Sequence, residues 1–264
     1  MRRINLTQAV ALVALLPCVA LATPNPNSAV VKERIFNDCG STVLTSTNLY
    51  PASINISETL QGCVGGFANL HNWRLSEDGV SAVAFGNGDG FRLVFDLEMT
   101  GAGRGEAGLS LSPWFSQDVD GRFNVRNTDG EVACFGGRLP FYSFTGSHGV
   151  VYTGGVIRLQ VTYLPNGLAM VDPGTIEYEL EYNASSYSSG PLPFDEGNPA
   201  EDPPFGLWGI LNEARVGGYV QHFISQAPEG SNLTVNWSNI AYEKFNPPVP
   251  TVETTWGAVK NLYR

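Results

Sequence analysis

TIEYELEY, residues 175–182, decides the fold: Ile176, Tyr178, Leu180 and Tyr182 alternate with Glu177, Glu179 and Glu181. A period of two places apolar side chains on one side of an extended chain and carboxylates on the other, so the segment is a strand with one dry face. Two earlier stretches repeat the pattern. In FRLVFDLEM (91–99), Phe91, Leu93, Phe95 and Leu97 oppose Arg92, Asp96 and Glu98. In IRLQVTY (157–163), Ile157, Leu159, Val161 and Tyr163 oppose Arg158, Gln160 and Thr162. Asn166-Gly167 and Asp172-Pro173-Gly174 separate the last two segments, which predicts antiparallel neighbours.

Further strands are expected at SAVAF (81–85), EAGLSLS (106–112), RFNVRN (122–127), EVACF (131–135), GVVYT (149–153), GLWGIL (206–211), GGYVQHFIS (217–225) and LTVNWSNIAYE (233–243). Asn127-Thr128-Asp129-Gly130 reads as a hairpin turn, and no helical stripe precedes the C-terminus. Many short strands with Gly-rich turns make an all-β, two-sheet antiparallel sandwich, one domain over residues 23–245. Two regions break the rhythm. Residues 184–205 are proline-rich and acidic, without strand character, and Asp195, Glu196, Glu201 and Asp202 there wall a groove, donate oxygens to calcium, or simply belong to a proline-stiffened surface connection. Residues 246–264 read as a proline-stiffened linker and tail, with Thr254 or Thr255 capping a short final helix.

Met1-Arg2-Arg3, the apolar run AVALVALL (9–16) and Ala20-Leu21-Ala22 have the form of a signal peptide cleaved after residue 22. Pro17 before Cys18 argues against a lipoprotein. No later run is long and apolar enough for a membrane helix, so the mature chain is expected to be secreted or at the cell surface. The formal charge of −10, more negative once Arg2 and Arg3 are removed, excludes nucleic acid and anionic membranes as natural partners. Outside the cytoplasm Cys39 and Cys63 are expected to pair, leaving Cys134 in VACF as a buried thiol; sequence alone leaves the other pairings open. Nothing in the chain speaks to oligomeric state.

Read in order, FANLHNWRLS (67–76), GFRLVFDLEM (90–99), EAGLSLSPW (106–114), IRLQVTYLPNG (157–167), TIEYELEY, GLWGILNEARVGGYVQ (206–221) and LTVNWSNIAYE resemble concanavalin A-like (laminin-G-like) jelly rolls. The resemblance implies two antiparallel sheets, one concave, with ligands on that face or on rim loops. Its members include lectins, carbohydrate-binding modules, glycoside hydrolases and polysaccharide lyases, so function has to come from the site. GRLPFYSF (137–144), NPAEDPP (198–204) and the WGAVK ending (256–260) are similar to segments of uncharacterised secreted bacterial proteins.

Candidate chemistry clusters in a few places. Asp118-Val119-Asp120-Gly121 offers two oxygen ligands and a turn glycine, as calcium prefers, but lacks the third acid and distal Glu of a full loop; its plainer reading is a solvated turn. Trp114 and Trp208 are the indoles available to stack on a sugar ring, or else to fill core. Glu106 and Glu213 would be the acid and the nucleophile or base of a glycoside hydrolase if they face each other, and ordinary solvated carboxylates if not. His148, His222, Tyr219 and Arg215 are residue types a lyase uses, without the spacing associated with sandwich lyases. Zinc spacing, a G-x-S-x-G elbow and a phosphate-cradling glycine loop are absent.

These readings converge on a secreted bacterial sandwich that binds a polysaccharide or matrix glycan. Stacking on Trp114 or Trp208 would combine with hydrogen bonds from Arg122, Asn212 or Arg215. No cofactor is required, and calcium on Asp118 and Asp120 would at most brace a loop. The alternatives are a hydrolase using Glu106 and Glu213, and a structural surface protein defined by its tail.

Overall fold

The computed structural model describes residues 23–63, 65–116, 119–197, 206–226 and 228–245, with backbone only over 112–116 and 119–120. The expected leader, the tail with its short helix, and part of the acidic connection lie outside the described residues. The strands are β1 (Ser28–Asn37), β2 (Val43–Leu49), β3 (Ser53–Thr59), β4 (Ala68–Ser76), β5 (Gly90–Thr100), β6 (Gly105–Ser116), β7 (Val119–Arg126) and β8 (Val132–Phe135). There follow β9 (Tyr142–Ser143), a short helix α1 (Phe144–His148), β10 (Val156–Leu164), β11 (Thr175–Tyr182), β12 (Ser185–Pro193), β13 (Arg215–Phe223) and β14 (Asn232–Phe245). They form two antiparallel seven-stranded sheets, ordered β1-β4-β13-β6-β7-β8-β9 and β12-β11-β10-β5-β14-β3-β2. The described chain is thus an all-β sandwich of two antiparallel sheets.

Period two does what the sequence requires. β11 spans Thr175–Tyr182, and Ile176, Tyr178, Leu180 and Tyr182 all turn into the core. It pairs with β10, whose Leu159 and Val161 lie opposite Leu180 and Tyr178. At the centre of the sandwich Trp73 of β4 meets Trp237 of β14 edge to face, ring centroids 6.3 Å apart. Gly218 of β13 makes room for both indoles: a Cβ there would lie 2.4 Å from Trp73 Nε1 and 2.6 Å from Trp237 Nε1. Gly218→Val is therefore expected to cost about 3 kcal/mol by overpacking. A lowered thermal midpoint with an altered near-ultraviolet tryptophan signal would confirm this, and an unchanged melt would refute it.

Several segments depart from expectation, each for a physical reason. SAVAF is not a strand: Phe85 makes one isolated bridge to Ala214 while its ring is fully buried. GVVYT leaves α1 as a covering segment, with the Tyr152 hydroxyl tied to Met99 N and Gly155 O. GLWGIL is broken at Trp208, whose φ of 52° is left-handed. Conversely, residues 185–193 of the supposed loop form β12. As an edge strand with one neighbour it tolerates Pro191 and Pro193, which lack the N–H a central strand needs.

The Asn-, Ser- and Thr-rich stretch between Cys39 and Cys63 also folds as two strands, β2 and β3. Cys39 and Cys63 are joined in a disulfide, and Cys134 is a buried free thiol whose proton affinity burial raises.

Candidate functional site

On β4, Trp73 and Leu75 point inward, so Asn72 and Arg74 belong to the opposite, outward face. Pairing carries that face across the sheet. One row runs Asn72, Tyr219, Gly108, Asn124, and the next Arg74, Gly217, Ser110, Arg122. A third holds Gln221, Glu106 and Arg126.

The glycines explain how long side chains meet here. Gly217 puts no side chain between β4 and β6, and the Arg74 guanidinium donates across it to the Ser110 hydroxyl. Gly108 does the same one row on, where the Tyr219 hydroxyl donates to Asn124 Oδ1 at 2.7 Å. Arg122 packs its guanidinium 4.5 Å above the Tyr219 ring and donates to the Glu106 carboxylate and to Gln221 Oε1 at 2.9 Å. Burial pushes the Glu106 carboxyl proton affinity up, against the opposing pull of Arg122 and Arg126.

Two amides in this network are incomplete. Asn72, 1 % exposed, leaves both its Nδ2 and Oδ1 without a hydrogen-bond partner, and fully buried Asn124 leaves Nδ2 without one. Buried amide atoms rarely stay unpaired, because each forfeits its hydration. Guanidinium groups, amides, a phenol and a carboxylate on one face form a set of donors and acceptors suited to sugar hydroxyls and carboxylates.

A second polar group lies between the sheets. Glu58 of β3 is 2 % exposed on the inner face. Its Oε1 accepts from Thr42 Oγ1 at 2.9 Å and Asn69 Nδ2 at 2.7 Å, with His71 Nε2 at 3.2 Å. Because His71 Nδ1 accepts the Arg34 N–H at 2.8 Å, the proton of the neutral ring sits on Nε2 and is donated to Glu58. His222 Nδ1 lies 3.3 Å from Glu58 Oε2, an ion-pair separation without hydrogen-bond geometry. The group joins strands of both sheets and is a structural tie.

Of the residues singled out from sequence, Glu106 and Arg122 meet directly, and Arg215 lies on the same face, opposite Ser112. Glu106 and Glu213 do not form a catalytic pair. Gln221 is opposite Glu106 and Arg215 opposite Ser112, so Glu213 precedes the far end of β13, six residues or roughly 20 Å away. A carboxylate pair needs about 5–10 Å. Trp208 is half-buried in the connection before β13, its carbonyl accepting from Gly174 N; exposed Asn212 accepts from Asn87 N. Neither enters the rows above.

Trp114 lies in β6 and Asp120 in β7 with their side chains undescribed, and Asp118 is outside the described residues. Among the described residues no group of three or more His, Cys, Asp and Glu could hold a metal ion. Asn72, Arg74, Asn124 and Gln221 were not expected. Their signals were polar residues on both faces of ANLHNWRLS and glycines inside EAGL and GGYV.

No family model and no curated protein matches the chain. Among solved structures it is similar to the alginate lyase from Corynebacterium sp., at 9 % identity and a TM-score of 0.43, over 83 % of this chain and 94 % of that one. It is also similar to lectin II from Ulex europaeus, at 9 % identity and a TM-score of 0.39, over 83 % and 100 %. A protein of unknown function from Shewanella oneidensis MR-1 matches at 9 % identity and a TM-score of 0.40, over 87 % and 93 %.

Proposed function

We propose that the chain is a secreted glycan-binding sandwich whose ligand face is the outward side of β4, β13, β6 and β7. The observation that carries this reading is the pair of incomplete amides, Asn72 and Asn124, set among Arg74, Arg122 and Tyr219. Sugar hydroxyls would complete the amides, and a uronate carboxylate would suit the guanidinium groups. The face is closed in this structure, Asn72 and Arg74 each being 1 % exposed, so binding exchanges existing contacts rather than filling an open cleft. Trp208 would add ring stacking only if a long glycan reaches the rim.

Affinity electrophoresis against neutral and uronate-rich polysaccharides tests the proposal. At least one uronate-rich glycan should retard the protein, and Asn72→Leu should weaken that retardation about tenfold, the effect of one lost polar contact of about 1.4 kcal/mol. Leucine removes two unpaired buried polar atoms, so the melting temperature should hold or rise. Unchanged mobility across the panel sinks the reading.

One feature favours a second reading, β-elimination of a uronate: the Tyr219 phenol lies under the Arg122 guanidinium, which also donates to Gln221 in the neighbouring row. A phenol can exchange a proton with the carbon next to a carboxylate that a guanidinium neutralises. Ultraviolet absorbance from unsaturated sugar ends would separate turnover from binding alone.

A further inference from the structure

Four sequons of the form Asn-X-Ser/Thr fall in the described residues: Asn55-Ile-Ser57, Asn183-Ala-Ser185, Asn232-Leu-Thr234 and Asn236-Trp-Ser238. Three are poor acceptors in the folded chain. The Asn232 amide donates to Ser57 Oγ, Glu58 O and Thr59 Oγ1, and its oxygen accepts from Thr234. Asn55 and Asn236 are directly opposed in the middle of a sheet, and both are half-buried. Directly opposed residues have Cβ atoms about 5 Å apart, too close for two branched sugars.

Asn183 differs in every respect. It heads the two-residue turn between the paired residues Tyr182 and Ser185, and Asn183, Ala184 and Ser185 are all exposed. Asn183 and Ala184 have φ of 51° and 61°, the left-handed pair of a tight hairpin turn, a conformation Asn adopts readily. A shallow depression of about 420 Å³ borders it, lined by Asp96, Val156, Arg158 and Glu181, with room for a first sugar to rest on the sheet. The turn joins β11 to β12, in the sheet opposite the proposed ligand face, so a glycan there leaves that face unobstructed.

We infer that Asn183 is the N-glycosylation site among the described residues. Asn183 Nδ2 would attack the anomeric carbon of a lipid-diphosphate-linked oligosaccharide. A C–N bond forms, the C–O bond to the diphosphate breaks, the lipid diphosphate leaves, and the amide proton passes to a base of the transferase. The inference rests on export through a route that supplies this donor, and it is independent of what the outward face binds.

The full chain is expressed in a eukaryotic secretory host, and in parallel with residues 1–22 replaced by the host's own leader, so that a failed leader is distinguishable from a failed site. Secreted protein should show one mobility shift removed by peptide-N-glycosidase, lost in Asn183→Gln and Ser185→Ala and kept in Ser185→Thr and Asn232→Gln. Peptide mass spectrometry should place the glycan on Asn183. Secreted protein bare at Asn183, or glycosylated at Asn55, Asn232 or Asn236 in its place, overturns the inference.

Discussion

Replacing Glu58 with alanine is expected to lower stability by about 3–5 kcal/mol, the cost of removing one partner from a buried charged group. The carboxylate accepts three donors at once, from Thr42, Asn69 and His71, and lies against His222. Without it those donors stay buried, and a cavity opens between the sheets where Glu58 tied β3 to β4 and β13. Glu58→Gln keeps the shape and one acceptor oxygen, so a loss of about 1–2 kcal/mol is expected there.

The two variants also differ in acid sensitivity. Burial alone would raise the Glu58 carboxyl, but contacts with His222 and His71, and the amide of Asn69, hold it well below the usual range. A lowered folded-state pKa means that only the unfolded chain takes up this proton as pH falls below about 4.3. The contribution of Glu58 is thus complete above that pH and drains away in acid. Glu106 has the opposite sign, since burial raises its carboxyl, so the informative quantity is the gap between wild type and Glu58→Gln. Urea titrations from neutral to acid pH should show the gap narrowing. A constant gap would mean that Glu58 is not held as a buried carboxylate.

The core was legible because its strands alternate cleanly. TIEYELEY, FRLVFDLEM and IRLQVTY each commit one face to the interior, and each is a strand with the predicted side buried. GLWGIL and GVVYT carry the same apolar content, but single-residue backbone choices, such as the left-handed Trp208, and tertiary anchors, such as the Tyr152 hydroxyl, override it. β3 hid behind polar residues because its third inward position is Glu58, which reads as solvent-facing until the histidines of the other sheet are placed against it. The candidate site was harder still. Glu106 and Arg122 could be named singly, whereas Asn72, Arg74 and Gln221 acquire meaning only through pairing with strands far away in sequence. Arg74 reaching Ser110 across Gly217 joins three strands that no local pattern connects.

Arg122→Ala is expected to abolish glycan retardation and to destabilise the fold by about 3 kcal/mol, because it leaves the Glu106 carboxylate buried beside Gln221 without its guanidinium. Loss of binding alone would not separate a ligand contact from a collapsed face, so the double variant Arg122→Met, Glu106→Leu decides. Removing both charges and keeping the volume should return most of the stability, since a buried ion pair replaced by apolar groups is often neutral or better. It should not return retardation, because neither side chain offers a hydrogen bond to a sugar. The pH dependence adds a check. With Arg122 gone, the Glu106 carboxyl, already raised by burial, rises further, and the folded state then holds a proton that the unfolded chain releases as pH climbs. The single variant should therefore lose more stability at neutral pH than in mild acid, and the double variant should not. Full stability with full glycan retardation in the double variant would move the ligand face elsewhere on the sandwich.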